Sequence, residues 1–551
     1  MKKIFFYALI IFCNNFNLKA QFGSEDTGGF LLSEQAAYDV KFYSINLNID
    51  PKEQSINGWV DVIVKTINPL DCLILDLNDN YRISSVRWNN IEGENEMLSF
   101  NHEKGKIKIY FPDKIKSDET VKVTIHYRGK PPVAKRPPWD DGFVWSKTLT
   151  REDWIGVTCQ GGGADIWWPC KDHPSDEPDS LELNITVPDN LICAANGKFI
   201  EESNNLNGTK SFNWFVSTPI NNYGVSVHIA PYDTIKYNYV SVTGEIIPVT
   251  IYALPENLEK ARLHSPQFLE HLRFYEELLG PYPFRRDKYA VAETPYLGME
   301  HQTIIAYGFG YKNSEDGFDW LHHHELAHEW FGNLVTARDW SDFWIHEGTG
   351  AYMQSLYAEK LGGISAYHNY QQKRMNFENK QPVAPRREMT GGEAYTGDIY
   401  VKGSWTLHTL RYYLGKETLF EILRKWCYPQ KELENISDGT QCRFSDTDEF
   451  LKIAEEVSGK KLDWFWEVYL RQASLPTLIV KQDTSDSILS LKWEIENNIP
   501  FELPVELKID EEIIKIEMKN GEAAIKLPQN TIPVIDPNKW ILMNAVKIEM
   551  Y

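Results

Sequence analysis

The chain has 551 residues, 42% of them hydrophobic and 25% charged, and a formal net charge of −21. That length implies several domains rather than one. The acidic balance excludes nucleic-acid binding through a general electrostatic footprint.

The chain opens MKKIFFYALIIFCNNFNLKA, in which Lys2 and Lys3 precede nine apolar residues, 4–12. This run is too short to span a bilayer, and with the exit at Leu18, Lys19 and Ala20 it predicts a signal peptide over residues 1–20. The mature protein is then exported, to the periplasm or the medium. Cys13 follows the bulky Ile11 and Phe12 inside the apolar run, which argues against a lipoprotein. A leader with three lysines and no acid leaves −24 on the mature chain. No later stretch approaches the roughly eighteen apolar residues a membrane span needs.

Residues 21–240 are rich in short alternating stretches such as KFYSINLNI, WVDVIVKT, KIKIYF and VKVTIHYRG, separated by Asn, Gly and Pro turns. They predict an N-terminal β-domain. From about 241 the pattern turns helical. Ser265 is placed to cap a helix, Pro266 suits its first turn, and Phe268, Leu269, Leu272 and Leu279 supply the apolar side before Gly280. Helical patterning runs on to about 474. Over 475–551, TLIVKQD, ILSLKWEIE, LPVELKID and EIIKIEMK, with an Asn520-Gly521 hairpin signal, predict a small C-terminal β-sandwich. The expected fold is therefore multidomain α+β.

Within the helical region, HELAHEWFGNLVTARDWSDFWIHE covers residues 324–347. On a helix, His324 and His328 share a face and their imidazoles can converge on one zinc ion, with Glu325 beside it. A bare HExxH arises by chance in roughly one in fifty chains of this length. The pattern here extends further: Glu347 follows His328 after eighteen residues, room for one helix to end and a second, EGTGAYMQSLYAEKLGG, to return with its stop at Gly362 and Gly363. His324, His328 and Glu347 are thus the candidate ligands of one Zn2+ per chain. A water on such a site becomes a nucleophile near neutral pH, and Glu325 is placed to act as its general base. Peptide-bond hydrolysis is the reaction this set serves best. His322 and His323 are expected on the helix surface or as neighbours of the ligands.

At HELAHEWFGNLVT and WIHEG the chain resembles the gluzincin zinc aminopeptidases typified by aminopeptidase N and leukotriene hydrolase. The resemblance implies a saddle-like N-terminal sheet and a thermolysin-like α/β catalytic domain. It extends to YLGMEHQTIIAYG, which looks like the family's substrate-binding edge strand, with Gly298, Met299 and Glu300 in place and His301 where the family has Asn. In that reading Glu300 binds the α-ammonium of a peptide, so that partners are peptides with a free N-terminus. DIYVKGSW resembles the family's tyrosine-x-lysine-glycine motif and implies Tyr400 as the oxyanion donor. TCQGGGADIWWPCKDHPSDEP resembles a further family segment and implies a substrate contact at Gln160, where many family aminopeptidases carry Glu and the leukotriene branch carries Gln. The triple glycine 161–163 reads either as a tight loop or as room for a substrate backbone.

The leading expectation is a zinc aminopeptidase. A broader zinc oligopeptidase or endopeptidase on the same site is the alternative, separable by cleavage of peptides with blocked amines. A non-catalytic scaffold would be expected to have lost ligands or the base, and all are retained. Six cysteines remain after the leader, and Cys427 with Cys442, flanking a polar insertion, are the candidate disulfide pair.

Overall fold

The computed structural model describes residues 26–89, 95–483, 487–528 and 531–550. The expected leader lies outside them.

The N-terminal part is built on an eight-stranded sheet. Its order is Lys198–Asn204, Thr209–Val216, Ser180–Pro188, Tyr38–Asp50, Ser55–Thr66, Thr120–Gly129, Tyr81–Asn89 and Asn95–Met97. All neighbours pair antiparallel except Tyr38–Asp50 with Ser180–Pro188. The period-2 alternation has the expected result: Ile56, Val60, Val62 and Val64 are buried on one face while Asn57 and Trp59 stand exposed on the other. A four-stranded sheet, ordered Ile192–Ala195, Val227–Ala230, Asp153–Thr158 and Gly142–Lys147, leads from its third strand in that order into the loop that carries Gln160.

The catalytic part opens with a five-stranded sheet ordered Asp233–Val240, Ile246–Ala253, Tyr289–Glu293, Ile304–Tyr307 and Gly298–Met299. The first two strands form a hairpin that straddles residue 240, so the junction expected there falls inside a sheet. Gly298–Met299 is an edge strand, antiparallel to Ile304–Tyr307, as the resemblance implied. Helices follow, among them Trp320–Ala327, Trp344–Gln372 and Gly397–Leu414. Helix Pro266–Leu279 forms where expected, but Ser265 does not cap it. Helix Leu258–His264 runs straight into it, leaving Ser265 in helical geometry, and its hydroxyl hydrogen-bonds Tyr237 at 2.8 Å instead. The stop at Gly362 and Gly363 is a break rather than an end. Gly363 takes φ 71°, and the chain resumes as helix to Gln372.

Two sheets form the C-terminal part, one of Glu522–Lys526, Ile488–Glu494, Thr477–Asp483 and Ala545–Met550, the other of Glu512–Ile516, Val505–Ile509 and Val534–Ile535. Asn520 and Gly521 both have positive φ, as their sequence predicts, but the strands either side of this turn belong to different sheets. The described cysteines are all free, Cys427 and Cys442 included. The expected disulfide is therefore absent. No helix among the described residues is long and apolar enough to cross a membrane.

Candidate active site

Asp319 starts the helix Trp320–Ala327 by accepting from the backbone N–H of His322 at 3.1 Å, the capping arrangement expected of an Asp at this position. The same carboxylate accepts from Tyr307 at 2.6 Å and contacts His264 at 2.9 Å, so this helix end is tied to the sheet and to the preceding helix pair. His322 and His323 are fully buried rather than on the surface. The His322 ring stacks on Phe268 at 3.8 Å and meets His271 at 2.9 Å, and the Tyr275 hydroxyl donates to the His323 carbonyl at 2.8 Å. Their face of the helix is thus its anchor, leaving His324 and Glu325 to face the cleft.

The eighteen-residue spacer folds as a turn, the short strand Val335–Ala337 and a single 3-10 turn before Glu347 enters in the first turn of Trp344–Gln372. This brings the three candidate ligands together. His324 Nε2 lies 3.2 Å from Glu347 Oε2, His328 Nε2 lies 3.3 Å from His324 Nε2, and His328 Nε2 lies 3.5 Å from Glu347 Oε2. A tetrahedral ion with ligand bonds of about 2.0–2.1 Å separates its ligand atoms by about 3.3–3.4 Å, so the triangle has the size zinc requires. Tautomers also fit. The His328 Nδ1 is 3.1 Å from the Phe331 carbonyl, placed for Nδ1–H to donate to it and leave Nε2 free as a ligand. Burial, with Arg374 adding to it, holds the His324 imidazole down to about 4, in the neutral form that binds metal.

Charge gives the same answer. Glu300, Glu325 and Glu347 are all buried, and burial pushes each carboxyl up. For Glu325 the neighbouring Glu300 and Glu347 push it further. Three carboxyls crowded in one buried pocket are stabilised in their charged form by a cation placed among them. Glu300, Glu325 and His328 also place one ligand atom each within 4.8 Å of one another, as do His324, His328 and Glu347. The second trio, with edges of 3.2, 3.3 and 3.5 Å, is the one whose size suits a tetrahedral ion and is the candidate ligand set.

The remaining expected residues gather around this centre. Gln160 Nε2 donates to Glu300 Oε1 at 2.5 Å and to Glu347 Oε1 at 3.4 Å, bridging the two carboxylates. Gly298 lies against the base: a Cβ there would come within 2.6 Å of Glu325 Oε1. Met299 is buried in the edge strand. Tyr400 stacks its ring 6.0 Å from His324, and its hydroxyl lies close enough to Glu347 to lower that carboxyl against the effect of burial. The triple glycine is a tight loop. Asp141 accepts from the N–H groups of Gly161 and Gly162, and a Cβ on Gly163 would collide with Asp172. His301 points away from the cleft, packing its buried ring 5.2 Å from His228.

Several residues of the site were not singled out from sequence. The Tyr395 hydroxyl is 3.1 Å from that of Tyr400 and fixes its direction. Tyr223, from the N-terminal part, lies close enough to Glu300 to lower its carboxyl against burial, and its hydroxyl is 3.4 Å from His346 Nδ1. Asn333 donates to the Glu300 carbonyl at 3.2 Å, and Glu329 accepts from the Thr303 N–H at 2.8 Å, holding the segment after the edge strand against the helix. Helices Trp344–Gln372 and Gly397–Leu414 cross at Gly348 and Gly403, where a Cβ on either would come within 2.8 Å of the other's Cα. That crossing sets the separation of Glu347 from Tyr400. Of these, Glu329, Asn333, Gly348 and Gly403 stand inside quoted motifs, whereas Tyr395 and Tyr223 left no sequence signal.

Residues 39–223 match the Peptidase M1 N-terminal domain, and residues 269–469 match the Peptidase family M1 domain. The chain belongs to peptidase family M1. Endoplasmic reticulum aminopeptidase 1 of Mus musculus is 23% identical over 337 residues, 54% of this chain and 36% of the relative. Aminopeptidase 2, mitochondrial, of Saccharomyces cerevisiae is 22% identical over 533 residues, 90% of this chain and 53% of the relative. This M1 chain therefore spans from about a third to about half the length of these curated relatives. The M1 zinc metallopeptidase from Deinococcus radiodurans superposes with a TM-score of 0.66 at 24% identity, over 82% of this chain and 98% of that one. That likeness shows the fold: an N-terminal β-sheet domain, an α/β catalytic domain and a C-terminal β region. A mutant of the same Deinococcus protein has been solved bound to a Tyr-Ser-Ala substrate.

Proposed function

We propose that this M1 protein is a zinc aminopeptidase that removes residues from the free N-termini of peptides. The observation that carries the reading is the position of Glu300, which offers an oxygen within 4.8 Å of ligand atoms of both Glu325 and His328. An ammonium held on Glu300 therefore sits about one residue, roughly 3.8 Å of chain, from the base and the metal centre. The tripeptide bound by the Deinococcus mutant agrees with a short peptide substrate.

His324, His328 and Glu347 would hold a zinc ion, which when bound would supply Lewis-acid chemistry that lowers the proton affinity of a water. Glu325, its carboxyl raised by burial, takes the proton from the attacking water and hands it to the leaving amine. Tyr400, oriented by Tyr395, donates to the oxygen on which negative charge develops. Glu300 fixes the ammonium while Gln160 holds the carboxylate in place, and the edge strand Gly298–Met299 offers its backbone to the peptide. Gln160 contributes no charge, so Glu300 is the principal acid for the amine. The protein acts outside the cytoplasm, after removal of residues 1–20.

Acetylating the α-amine of a good peptide substrate tests the exopeptidase reading. It should abolish cleavage by the parent enzyme. Equal cleavage of blocked and free peptides would transfer the assignment to a broader oligopeptidase.

A further inference from the structure

The outer face of the eight-stranded sheet holds a concave groove of about 880 Å³, and none of its lining residues belongs to the active site. The volume lies within the roughly 300–1,000 Å³ usual for small-ligand sites. Its floor is laid out by strand register. Asn48, Asn57, Arg128 and Arg82 lie opposite one another across four strands, and beside them runs a second row of Asn46, Trp59 and His126.

Two features of this floor call for a ligand rather than for water. The first is electrostatic. Arg82 and Arg128 are exposed and directly opposed across a strand pair, where like charges destabilise. Two acids on adjoining strands and turns do not relieve them, since Asp61 pairs with Lys122 at 3.0 Å and Glu53 with Lys130 at 3.9 Å. In a chain of net charge −21 this pair is a local excess of positive charge, complementary to an anion. The second is the indole of Trp59, 40% exposed in the middle of a polar face. It is braced by the His126 ring at 5.7 Å and presents a flat apolar surface to the groove.

The polar groups around the indole are preorganised. Asn46 donates to the Ser44 carbonyl at 3.0 Å and accepts from Asn184 at 3.0 Å, so its amide is fixed, while Asn48 and Asn57 turn exposed amides to the groove. An aromatic plate suits the C–H face of a sugar ring, amides suit vicinal hydroxyls, and a guanidinium fork suits a carboxylate. A bare inorganic anion would use the arginines alone and leave Trp59 without a role. A peptide strand cannot add across the floor, because Asn46, Asn48, Asn57, Trp59, His126 and Arg128 stand on strands interior to the sheet.

We propose that this face binds an acidic oligosaccharide, with one sugar ring stacked on Trp59 and a uronate carboxylate held between Arg82 and Arg128. The site is separate from the peptidase centre and would hold the enzyme on carboxylated polysaccharide.

Calorimetric titration of the whole protein with trigalacturonic acid, with maltotriose as the neutral control, tests this. The expected result is binding of the uronate at least about tenfold tighter than maltotriose, weakening as salt rises. Trp59→Ala, and separately Arg82→Gln with Arg128→Gln, should each weaken it at least about tenfold while peptide turnover and the thermal midpoint stay at parental values. No binding of the uronate at millimolar concentration overturns the proposal. So does equal binding of maltotriose, binding that both variants retain, or inorganic phosphate competing at the same affinity. Light scattering that shows a dimer dispersed by the arginine substitutions would assign the face to a second copy and overturn it too.

Discussion

Gly403→Ala should slow catalysis without removing any group that takes part in it. The new Cβ would stand 2.8 Å from the Cα of Gly348, whereas ordinary contact begins near 3.4 Å, so the two helices must part by about 0.6 Å. The opposing atom is helix backbone and no side chain can rotate away. Overpacking of this kind costs about 1–3 kcal/mol of stability. Tyr400 lies one turn before Gly403 on the displaced helix, and its hydroxyl moves relative to Glu347 and the metal centre. A misplacement of about 1 Å costs on the order of 10²-fold in rate, so kcat should fall about 10- to 100-fold while KM and zinc content hold. Steady-state kinetics on an aminoacyl chromogenic substrate, zinc analysis and a thermal melt measure the three quantities. A zinc-loaded variant with a lowered midpoint and parental kcat would refute the claim that this crossing positions Tyr400.

Tyr400→Phe removes the oxyanion donor alone and should lower kcat about 10²- to 10³-fold with little change in KM; a parental kcat would leave the phenol with only a packing role. Stripping the metal with a chelator should abolish turnover and lower the thermal midpoint, because three buried carboxyls lose their counter-charge, and added zinc should restore both. A chelated protein that melts at the parental temperature would contradict the charge argument. His408 joins the catalytic and C-terminal parts through Tyr367 at 2.6 Å and the Lys539 carbonyl at 2.9 Å, and burial holds its imidazole down to about 3. Because the folded pKa is depressed, this stability is present above about 6.5 and is lost as pH falls toward about 3, amounting to about 2 kcal/mol at pH of about 5. His408→Gln should therefore lose less stability than the parent between about pH 7 and about pH 5 in denaturant titrations, and equal losses would refute the assignment.

The candidate metal ligands were legible because their geometry is local. Spacing on a helix places His324 beside His328, and a helix, a short strand and a second helix bring Glu347 back. Glu300, Tyr400 and Gln160 carry no signal of their own. They were found through resemblance, and their convergence depends on three separate segments folding onto the ligand helix. Tyr395, Tyr223 and Asn333 were missed for the same physical reason, since a hydrogen bond between residues distant in the chain leaves no periodicity to read. Local signals were overridden where packing was stronger. Ser265 lost its capping role to the preceding helix, His322 and His323 were taken into an aromatic core rather than left on the surface, and the Asn520-Gly521 turn connects two sheets although its φ angles are those its residues favour. Cys427 and Cys442 are near in sequence, yet both thiols are free.

Turnover by zinc-loaded Glu325→Gln protein tests the central claim most directly. The substitution keeps the size of the side chain and leaves His324, His328 and Glu347 unchanged, so zinc should remain at one per chain. Peptide hydrolysis should fall by about 10²- to 10⁴-fold or more, because the group that takes the proton from the attacking water is gone. Turnover at the parental rate with zinc in place would contradict the account.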